Sequence, residues 1–570
     1  MDKTKNIFRT QFSEDIFNHK YAHEGCETWY DLSKTLVEDV CRTELSYSDK
    51  SSLIEMHSNM EFIAGGRYLY YAGRPNKFFN NCFLLKAEED TREEWSNVSW
   101  RAQSCLMTGG GIGIDYSIYR PKGSILGKTG GVASGAVSAM KITNEIGREV
   151  MQGGSRRSAI YASLNWQHGD VEELMFAKDW NAMKVGNTSI GALKERDFNF
   201  PAPLDMTNVS FNYDNAFLES VYEMPIYDIE RAVSFGDELE IKHIPKTFLT
   251  NCRQALSSGE PGFSFNFFNK EDETARNACC EVTSVDDSDV CNLGSINMAN
   301  IDTIERFKEV VKQSIRFLLL GTLRADLPYE KIEEVRAKNR RLGLGLMGVH
   351  EWLLKRGYKY EVVPELRKWL EVYRDESTRS GTELAIELGI SIPVAFRAIA
   401  PTGSIGILAG TTTGIEPLFA VAYQRRYLKG AKDWHYQYVV DGAAEILIDK
   451  YDLEPENIES ALDLAKDYER RIMFQADVQD YVDMAISSTI NLPKWGSKLN
   501  NEDSVLSFAK TLLKYAHRLR GFTVYPDGAR GGQPLRVVSY EEAKEHQGKE
   551  FKEEFHDICE ITGHGGSCGV

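Results

Sequence analysis

The pentapeptide Asn277-Ala278-Cys279-Cys280-Glu281 brings together an amide, two thiols and a carboxyl group. In an extended conformation every second side chain points to the same side, so Asn277, Cys279 and Glu281 would share one pocket. Such a trio could hydrogen-bond a substrate hydroxyl, remove its proton and carry out sulfur chemistry. The alternative is that Cys279 and Cys280 are small buried thiols of a structural loop. The pentapeptide alone leaves both interpretations open.

Cys82 and Cys291 each lie at the edge of an apolar run, in NNCFLL and DDSDVCNLGSIN. Neither a CxxC motif nor a histidine stands at zinc-ligand spacing beside them, so we predict no metal site. Ten cysteines in 570 residues are too sparse for a disulfide scaffold, and a reducing compartment would keep most of them as thiols. A cysteine pair that does chemistry must therefore be able to cycle.

Two further cysteines, Cys559 and Cys568, lie beside a glycine-rich terminal segment. An exposed, flexible context of this kind suits a thiol pair that must travel between partners. The alternative is a reduced terminus without function, which the tail by itself leaves open.

Two glycine-rich runs could hold a nucleotide. In residues 109–115 (GGGIGID) the glycines lead into a β-type run instead of opening a helix, which favours a tight turn over a dinucleotide-binding loop. In APTGSIG, Pro401 is followed by Thr402, Gly403 and Ser404 where a helix could begin, and its unpaired N–H groups would face an anion. The alternative for this second run is an ordinary helix N-cap.

Charge and composition exclude several classes of protein. The chain is 26% charged and 42% hydrophobic, as in ordinary globular proteins. Its net charge of −17 argues against a broad nucleic-acid or anionic-membrane surface. The longest apolar runs are far shorter than the ~18 residues of a membrane span, and the first residues are not typical of a signal peptide. We therefore expect a cytoplasmic protein, in the host cytoplasm if a phage encodes it, with no nucleic-acid or membrane partner.

The hydrophobic pattern divides the chain into three parts. Residues 1–65 have apolar residues at helical spacing, which predicts an N-terminal helical region. Over residues 66–540, short β-type runs alternate with helical stretches, a pattern typical of an α/β fold with parallel strands. Residues 541–570 are charge-rich and then glycine-rich, which predicts a flexible tail.

Ordered motifs from about Arg67 to Leu535 resemble those of the catalytic (alpha) subunit of ribonucleotide reductases. They are NNCFLL, TGGGIGIDYS, YRPKGS, TGGVASG, QGGSRRSA, NACCE, CNLGSIN, RLGLGLMG, PTGSIGILAGTTTGIEP and TVYPDGAR. The resemblance implies a ten-stranded α/β barrel of two five-stranded half-barrels over residues 66–540. It also implies that the NxCxE loop, near residues 270–285, threads the barrel as a central finger.

The same resemblance implies a role for each reactive residue. Cys279 would carry the thiyl radical that abstracts the 3′ hydrogen of a ribonucleotide. Glu281 would take the 3′-OH proton as general base, and Asn277 would hold the substrate hydroxyls. Cys82 and Cys291 would supply the reducing equivalents and end as a disulfide. The resemblance assigns no role to Cys280, where a non-thiol residue is expected.

Substrate and reductant contacts are implied in the same way. The substrate would be a ribonucleoside di- or triphosphate, and the sequence leaves its phosphorylation level open. Cys559 and Cys568 would reopen the disulfide with electrons from a thioredoxin- or glutaredoxin-like reductant. The substrate-binding residues would be Asn81, Pro401, Thr402, Gly403, Ser404 and Ile405.

Two stretches resemble the family's site for an allosteric dNTP effector, with Mg as the expected counter-ion. The residues implied there are Asp115, Ser117, Arg120, Lys122, Gly153, Ser155, Arg156 and Arg157. The helix between the stretches would pack against its twin, so we expect a homodimer. No segment resembles the ATP-cone of many family members, so inhibition of total activity by dATP through a cone is not expected. The alternative, two basic residues on a solvated turn, would explain Arg156 and Arg157 without any nucleotide.

The source of the radical has two candidates. The motifs are closest to the adenosylcobalamin-dependent class II, which implies that cofactor. A small phage-type relative of class I would instead receive its radical from a separate metal-containing beta subunit, with Tyr525 as a radical-transfer residue. A rival from another class is a nucleotide-binding protein with a degenerate reductase fold and no turnover. Binding alone would need none of the thiols, so their joint presence argues against this rival.

Overall fold

The computed structural model describes residues 7–127, 130–150, 158–197, 200–429, 433–529 and 535–552. The chain divides into two compact units, the larger of residues 1–419 and 459–531 and the smaller of residues 420–458 and 532–570. This division differs from the boundary expected at residue 540. The reason is that the strands Ala422–Lys429 and Asp433–Val440 pair with strands near the C-terminus and form a sheet of their own.

The described residues contain β-strands of two to nine residues. In chain order they are β1 (Phe62–Ala64), β2 (Cys82–Lys86), β3 (Gly111–Asp115), β4 (Ile160–Asn165), β5 (Lys184–Val185), β6 (Thr188–Ser189), β7 (Thr207–Tyr213), β8 (Gly262–Phe265), β9 (Ala275–Arg276), β10 (Thr283–Ser284), β11 (Asp289–Asn297), β12 (Leu342–Met347), β13 (Ala422–Lys429), β14 (Asp433–Val440), β15 (Thr489–Leu492), β16 (Gly521–Pro526), β17 (Leu535–Val537) and β18 (Glu550–Lys552).

The α-helices connect and cover these strands. In chain order they are α1 (Gln11–Lys20), α2 (Trp29–Cys41), α3 (Tyr47–Ser58), α4 (Gly66–Tyr71), α5 (Arg92–Met107), α6 (Ala136–Glu149), α7 (Val171–Met175), α8 (Ile190–Arg196), α9 (Asn215–Tyr222), α10 (Ile226–Phe235), α11 (Lys246–Ser258), α12 (Ile304–Gly321), α13 (Glu330–Asn339), α14 (Val349–Lys355), α15 (Pro364–Glu387), α16 (Gly403–Ala409), α17 (Gly442–Tyr451), α18 (Ala461–Leu464), α19 (Tyr468–Gln479), α20 (Val505–Ala516) and α21 (Tyr540–His546).

A ten-stranded mixed sheet runs through the larger unit. Strands β2, β3, β4, β7 and β8 are parallel neighbours in that order. This parallel set is bounded by two antiparallel junctions, β8 with β16 and β2 with β11. Beyond the junctions, β15 runs parallel to β16 and β12 runs parallel to β11.

Isolated parallel bridges continue the hydrogen bonding between β12 and the segment before β15. Leu344 of β12 bridges to Arg397, and Ile399 bridges to Ile486. Two groups of parallel strands thus meet at two antiparallel junctions, which is the arrangement expected of two half-barrels. All nine residues of β11 are buried, as in parallel sheets covered on both faces. The α/β fold class predicted from the sequence is confirmed.

The helices near the N-terminus pack on one of two large hydrophobic clusters. Thr10, Thr28 and Ser46 cap α1, α2 and α3, each side chain accepting a hydrogen bond from the backbone N–H three residues on. These caps satisfy donors that a helix start leaves unpaired. The long helix α12 then packs against α2, α3 and α15, so the N-terminal helices share a core with the larger unit.

The smaller unit is a four-stranded antiparallel sheet in the order β17-β13-β14-β18, with helices α17 and α21. Its aromatic side chains stack in pairs: Tyr436 lies 5.3 Å from Phe551, and Tyr438 lies 4.9 Å from His546, between ring centroids. None of the helices in the described ranges of the chain is both long and apolar enough to cross a membrane.

Candidate active site

The NxCxE motif forms the tip of a short hairpin between β9 and β10. These strands pair antiparallel, with Thr283 opposite Arg276, so residues 277–282 form the loop that we call the finger loop. The backbone N–H of Cys280 donates to the carbonyl of Asn277 at 3.0 Å, and the N–H of Val282 donates to Asn277 Oδ1, also at 3.0 Å. The Asn277 side chain therefore holds its own loop closed.

The finger loop is a turn and not the extended segment assumed from the sequence. Cys280 has a φ of +67°, in the left-handed region that non-glycine residues seldom adopt. The turn places the two neighbouring thiols in different environments. Cys279 is exposed, whereas Cys280 is partly buried. Burial raises the pKa of Cys280 to about 12, so this thiol stays protonated at neutral pH.

Glycines of β3 make room for the hairpin. A Cβ atom at Gly113 would lie 1.9 Å from the carbonyl oxygen of Arg276, and one at Gly111 would lie 2.9 Å from the Cβ of Ala278. Neither position can carry a side chain while the hairpin stays in place. On another side of the loop, the backbone N–H of Ala485 donates to the carbonyl of Glu281 at 2.8 Å. The glycine-rich run after Thr108 thus serves close backbone packing.

Three of the predicted reactive side chains meet around one sulfur atom. Asn277 Nδ2 donates to Cys82 Sγ at 2.9 Å, and Cys82 Sγ lies 3.9 Å from Glu281 Oε1. Asn277 and Glu281 are almost fully buried, and the second carboxyl oxygen of Glu281, Oε2, has no hydrogen-bond partner among the described residues. That oxygen is available to a substrate hydroxyl.

Burial tunes the Glu281 carboxyl toward proton exchange. Loss of solvent raises the pKa of Glu281 from 4.5 to about 7, and hydrogen bonds from Asn277 and Cys82 oppose the rise. A carboxyl group with a pKa near neutrality can accept and return a proton at physiological pH. This is the electrostatic setting that a general base requires.

Cys82 and Cys291 lie directly opposite each other across the antiparallel junction of β2 and β11. Residues opposed in this way have Cα atoms roughly 4.5–5.5 Å apart, within the range that a disulfide spans. Both cysteines are buried, and burial raises the pKa of each thiol well above its usual value. A Cβ atom at Gly343 would lie 3.0 Å from Cys291 Sγ, so the glycine leaves space for this sulfur.

The predicted phosphate loop begins α16. Thr402 precedes the helix with a φ of +48°, and its hydroxyl accepts a hydrogen bond from the N–H of Gly414 at 2.8 Å. The space that a side chain would fill at Gly403 is open within 4 Å. The remaining predicted substrate residues are Asn81 just before β2, Pro401 before the helix and buried Ile405 within it.

The sequence interpretation missed Lys20. This residue ends α1, far from the loop along the chain, yet its ammonium group donates to Ser404 Oγ at 3.2 Å. Two further contacts link this region to α16: Ser13 of α1 donates to the carbonyl of Ile407, and Arg9, just before α1, donates to the carbonyl of Gly410, just after α16. The long separation along the chain left no local signal for this contact.

The described residues of the predicted effector site are already paired within the protein. Asp115 is buried and accepts hydrogen bonds from Ser117, Asn212 and Thr274. Arg120 forms an ion pair with Asp90, and Lys122 forms one with Glu173 at 3.2 Å. Gly153, Ser155, Arg156 and Arg157 lie outside the described residues.

Three further predicted residues remain, the two tail cysteines and Tyr525. Cys559 and Cys568 lie outside the described residues. Tyr525 lies on β16, opposite Asn491 of β15. Within the described ranges, no group of three or more His, Cys, Asp or Glu side chains could hold a metal ion.

The sequence of this chain is similar to those of known proteins. The model of the ribonucleotide reductase barrel-domain family matches residues 80–393 and 391–525. A vitamin B12-dependent ribonucleoside-diphosphate reductase of Mycobacterium tuberculosis is 28% identical over 85% of this chain and 70% of its own length. One from Thermoplasma acidophilum is also 28% identical, over 86% of this chain and 66% of its own length. A putative adenosylcobalamin-dependent ribonucleoside-triphosphate reductase of Mycobacterium phage D29 is 25% identical over 72% of this chain and 60% of its own length.

The fold is of the α/β class, its candidate site places two opposed thiols beside a buried carboxyl group, and the relatives are reductases, which together define an oxidoreductase. The chain belongs to the ribonucleotide reductase family, and its activity is the reduction of ribonucleotides to 2′-deoxyribonucleotides.

Proposed function

We propose that this reductase works by thiyl-radical chemistry at the finger loop, with Cys279 as the radical residue and Cys82 and Cys291 as the reductant. The observation that carries the proposal is the convergence of Asn277 and Glu281 on Cys82, directly opposite Cys291. A protein that only binds nucleotides would have no use for two opposed buried thiols beside a carboxyl group of raised pKa.

Each group of the finger loop has a separate task. The Cys279 thiyl radical takes the 3′ hydrogen atom of the ribose and returns it at the end of turnover. Glu281 accepts the 3′-OH proton, since its pKa is near 7 and its Oε2 has no hydrogen-bond partner in the part of the chain that the structure describes. Asn277 keeps the loop closed through Val282 and presents its amide to Cys82.

The net reaction balances on the cysteine pair. The ribonucleotide loses its 2′-hydroxyl as water, and the two thiols of Cys82 and Cys291 provide the two electrons and the two hydrogens that this requires. They end joined as a disulfide. We propose that Cys559 and Cys568 reopen it by thiol–disulfide exchange, with electrons from a thioredoxin- or glutaredoxin-like protein.

Adenosylcobalamin is the radical source that we propose, because the three relatives described above are named as vitamin B12- or adenosylcobalamin-dependent. This favours the cofactor over a separate metal-containing beta subunit. The residues fit, since Cys279 is the exposed thiol of the finger loop. When bound, the cofactor supplies the radical by homolysis of its carbon–cobalt bond.

The substrate that we propose is a ribonucleoside di- or triphosphate, with its phosphates at Thr402, Gly403 and Ser404. Lys20 supports this assignment because it adds a positive charge at Ser404 in a chain of net charge −17. An ammonium group close to backbone and hydroxyl donors suits a phosphate.

For regulation we propose that a dNTP, with Mg, binds near Asp115, Ser117, Arg120 and Lys122 and selects which base is reduced. Helix α6 would form the contact of a homodimer. Its exposed Ile142 supports an apolar contact there. No inhibitory second site is part of the proposal.

A partner-free assay tests the radical source. The purified chain, a mixture of ribonucleoside diphosphates and dithiothreitol are incubated with and without adenosylcobalamin, and deoxynucleotides are counted by chromatography. We expect product only with the cofactor. Product without the cofactor would contradict the cobalamin proposal, and no product under either condition would favour the beta-subunit source or, if nucleotide still binds, the rival without turnover.

A further inference from the structure

A buried chain of amide and hydroxyl groups lies directly behind the two opposed cysteines. Asn80 Nδ2 donates to the carbonyl of Cys291 at 3.3 Å and also to Asn292 Oδ1. Asn292 Nδ2 in turn donates to the hydroxyl of Tyr68. All three side chains are at most 1% exposed. We call Asn80, Asn292 and Tyr68 the amide clamp.

The amide clamp begins where the strand pairing ends. Strands β2 and β11 pair over only three positions, and the Cys82–Cys291 pair is the last of them. Strand ends separate easily because no further backbone ladder holds them. Asn80 lies two residues before Cys82 and reaches across to Cys291 and Asn292, so a side chain continues the link that the backbone ladder lacks.

The far end of the clamp is anchored in a rigid core. The ring of Tyr68, on α4, stacks on Phe79 with centroids 4.5 Å apart and packs against Phe317 at 5.3 Å. A Cβ atom at Gly321 would lie 1.8 Å from the Tyr68 hydroxyl oxygen. The glycine therefore leaves the space that the hydroxyl needs to reach Asn292.

Stability alone does not account for this arrangement. Asn80 Oδ1 is buried without a hydrogen-bond partner among the described residues, and such a group costs free energy. Well-packed apolar side chains can match or exceed the stability of an incompletely satisfied buried polar network. What the clamp adds is a fixed distance between two strands.

We propose that the amide clamp positions Cys82 against Cys291, so that the pair closes its disulfide readily during turnover. This inference rests on the proposed role of the pair as reductant. Closing the bond joins the two sulfurs and releases two electrons and two protons to the substrate, with the 2′-hydroxyl leaving as water. Disulfide geometry tolerates only a narrow range of Cα separation, so a strand end held in place closes more readily than a mobile one.

The test uses two variants of the full chain. Tyr68→Phe removes one hydroxyl, and Asn292→Leu removes one amide at similar volume. Tyr213→Phe is the matched control. Tyr213 lies on β7, and its buried hydroxyl likewise hydrogen-bonds to a side-chain amide, donating to Asn251 Oδ1 at 2.8 Å. The thiol–disulfide equilibrium of Cys82 and Cys291 is measured in dithiothreitol buffers by alkylation and mass spectrometry.

For both clamp variants we expect the equilibrium to shift toward the thiols by about tenfold, which corresponds to about 30 mV. Product from one turnover of pre-reduced enzyme should remain near one per site, while the multiple-turnover rate falls. The control should match the parent in each measurement. A folded Tyr68→Phe variant whose thiol–disulfide equilibrium and multiple-turnover rate equal those of the parent would overturn the inference. If Asn292→Leu does not fold, the Tyr68→Phe variant alone decides the outcome.

Failure of the underlying function gives a different result. If Cys82→Ser sustains multiple turnover, the pair is not the reductant, and the proposed function fails whatever the clamp variants show. If Cys82→Ser stops after one turnover or earlier while the clamp variants behave as the parent, only the clamp inference fails.

Discussion

The finger loop and the proposed effector face treat their polar groups in opposite ways. In the finger loop, Glu281 keeps one buried oxygen that no described residue hydrogen-bonds, and Cys279 is exposed. On the effector face, defined by Asp115, Ser117, Arg120 and Lys122, both cations are held by carboxylates. The loop is thus prepared for a substrate that completes its hydrogen bonding. An effector must instead compete with ion pairs that already exist.

This difference in pairing predicts a difference in the size of mutational effects. Removing a reacting group from the loop takes away a step that nothing else supplies. Changing a paired charge on the effector face alters only the competition between the protein's carboxylate and the effector for the same cation. The predictions below run from the first kind to the second.

Cys279→Ser should abolish deoxynucleotide formation while substrate binding is retained. An alkoxyl radical is much harder to form than a thiyl radical, and the volume change at this exposed position is small. Product formation by chromatography and substrate binding by calorimetry check the two halves. Turnover near the parental rate would remove Cys279 from the radical role.

Glu281→Gln should lower turnover by about 10²- to 10⁴-fold, the usual worth of general base catalysis. Glutamine keeps the size of the side chain and cannot accept the 3′-OH proton. Initial rates at saturating substrate measure the loss, and Glu219→Gln, at a helix residue remote from the finger loop in sequence, serves as control. A loss of less than about tenfold would assign Glu281 to structure.

The pH dependence should run in opposite directions for activity and stability. The pKa of Glu281 is about 7, so turnover should rise with pH through this value as the carboxyl ionises. Between pH 4.5 and about 7 the folded state keeps a proton that the unfolded chain has lost, so this group's contribution to stability falls as pH rises. The free energy of unfolding is measured with urea at pH 5 and pH 8. Relative to the parent, Glu281→Gln should be more stable at pH 8 than at pH 5. An equal difference at both pH values would contradict the raised pKa.

On the effector face, dTTP or dATP should change which base is reduced without switching off total activity. The coupling should be of ordinary allosteric size, about 1–3 kcal/mol, or roughly 5- to 150-fold in product ratio. Competition assays with mixed substrates measure the ratio, and sedimentation follows dimer formation. Constant ratios with every effector would refute the site, and strong dATP inhibition of all substrates would reveal an activity site.

The smallest effect should come from Asp90→Asn, which frees Arg120 from its ion pair. Partly exposed ion pairs are worth at most about 1 kcal/mol, so effector binding should tighten by no more than about fivefold. Glu93→Gln breaks the similar but more exposed pair with Arg92 and is the matched control. Weaker effector binding in Asp90→Asn would mean that the carboxylate assists the effector instead of competing with it.

Residue types in the finger loop were predictable from the sequence, whereas their geometry was not. The amide, thiol and carboxyl group of the NxCxE motif indicate the chemistry directly. Their convergence depends on the left-handed turn at Cys280, which a period-two pattern does not anticipate. The alternation of strands and helices similarly predicted the α/β class, because periodicity is local information.

Long-range contacts account for most of what the sequence could not reveal. Lys20 reaches Ser404 across most of the chain, and nothing near either residue indicates the other. The opposition of Cys82 and Cys291 requires the register of two strands from different parts of the sequence. The smaller unit likewise depends on pairing between β13 and β17, which are separated by about a fifth of the chain.

That smaller unit has a consequence for synthesis on the ribosome. Its central hairpin, β13 and β14, emerges well before β17 and β18, which supply the two outer strands of the sheet. Domains tend to fold as units while the chain is made, from the N-terminal side first. Both edges of the hairpin therefore stay unpaired while residues 459–531 are translated, and exposed strand edges are the surfaces through which nascent chains associate.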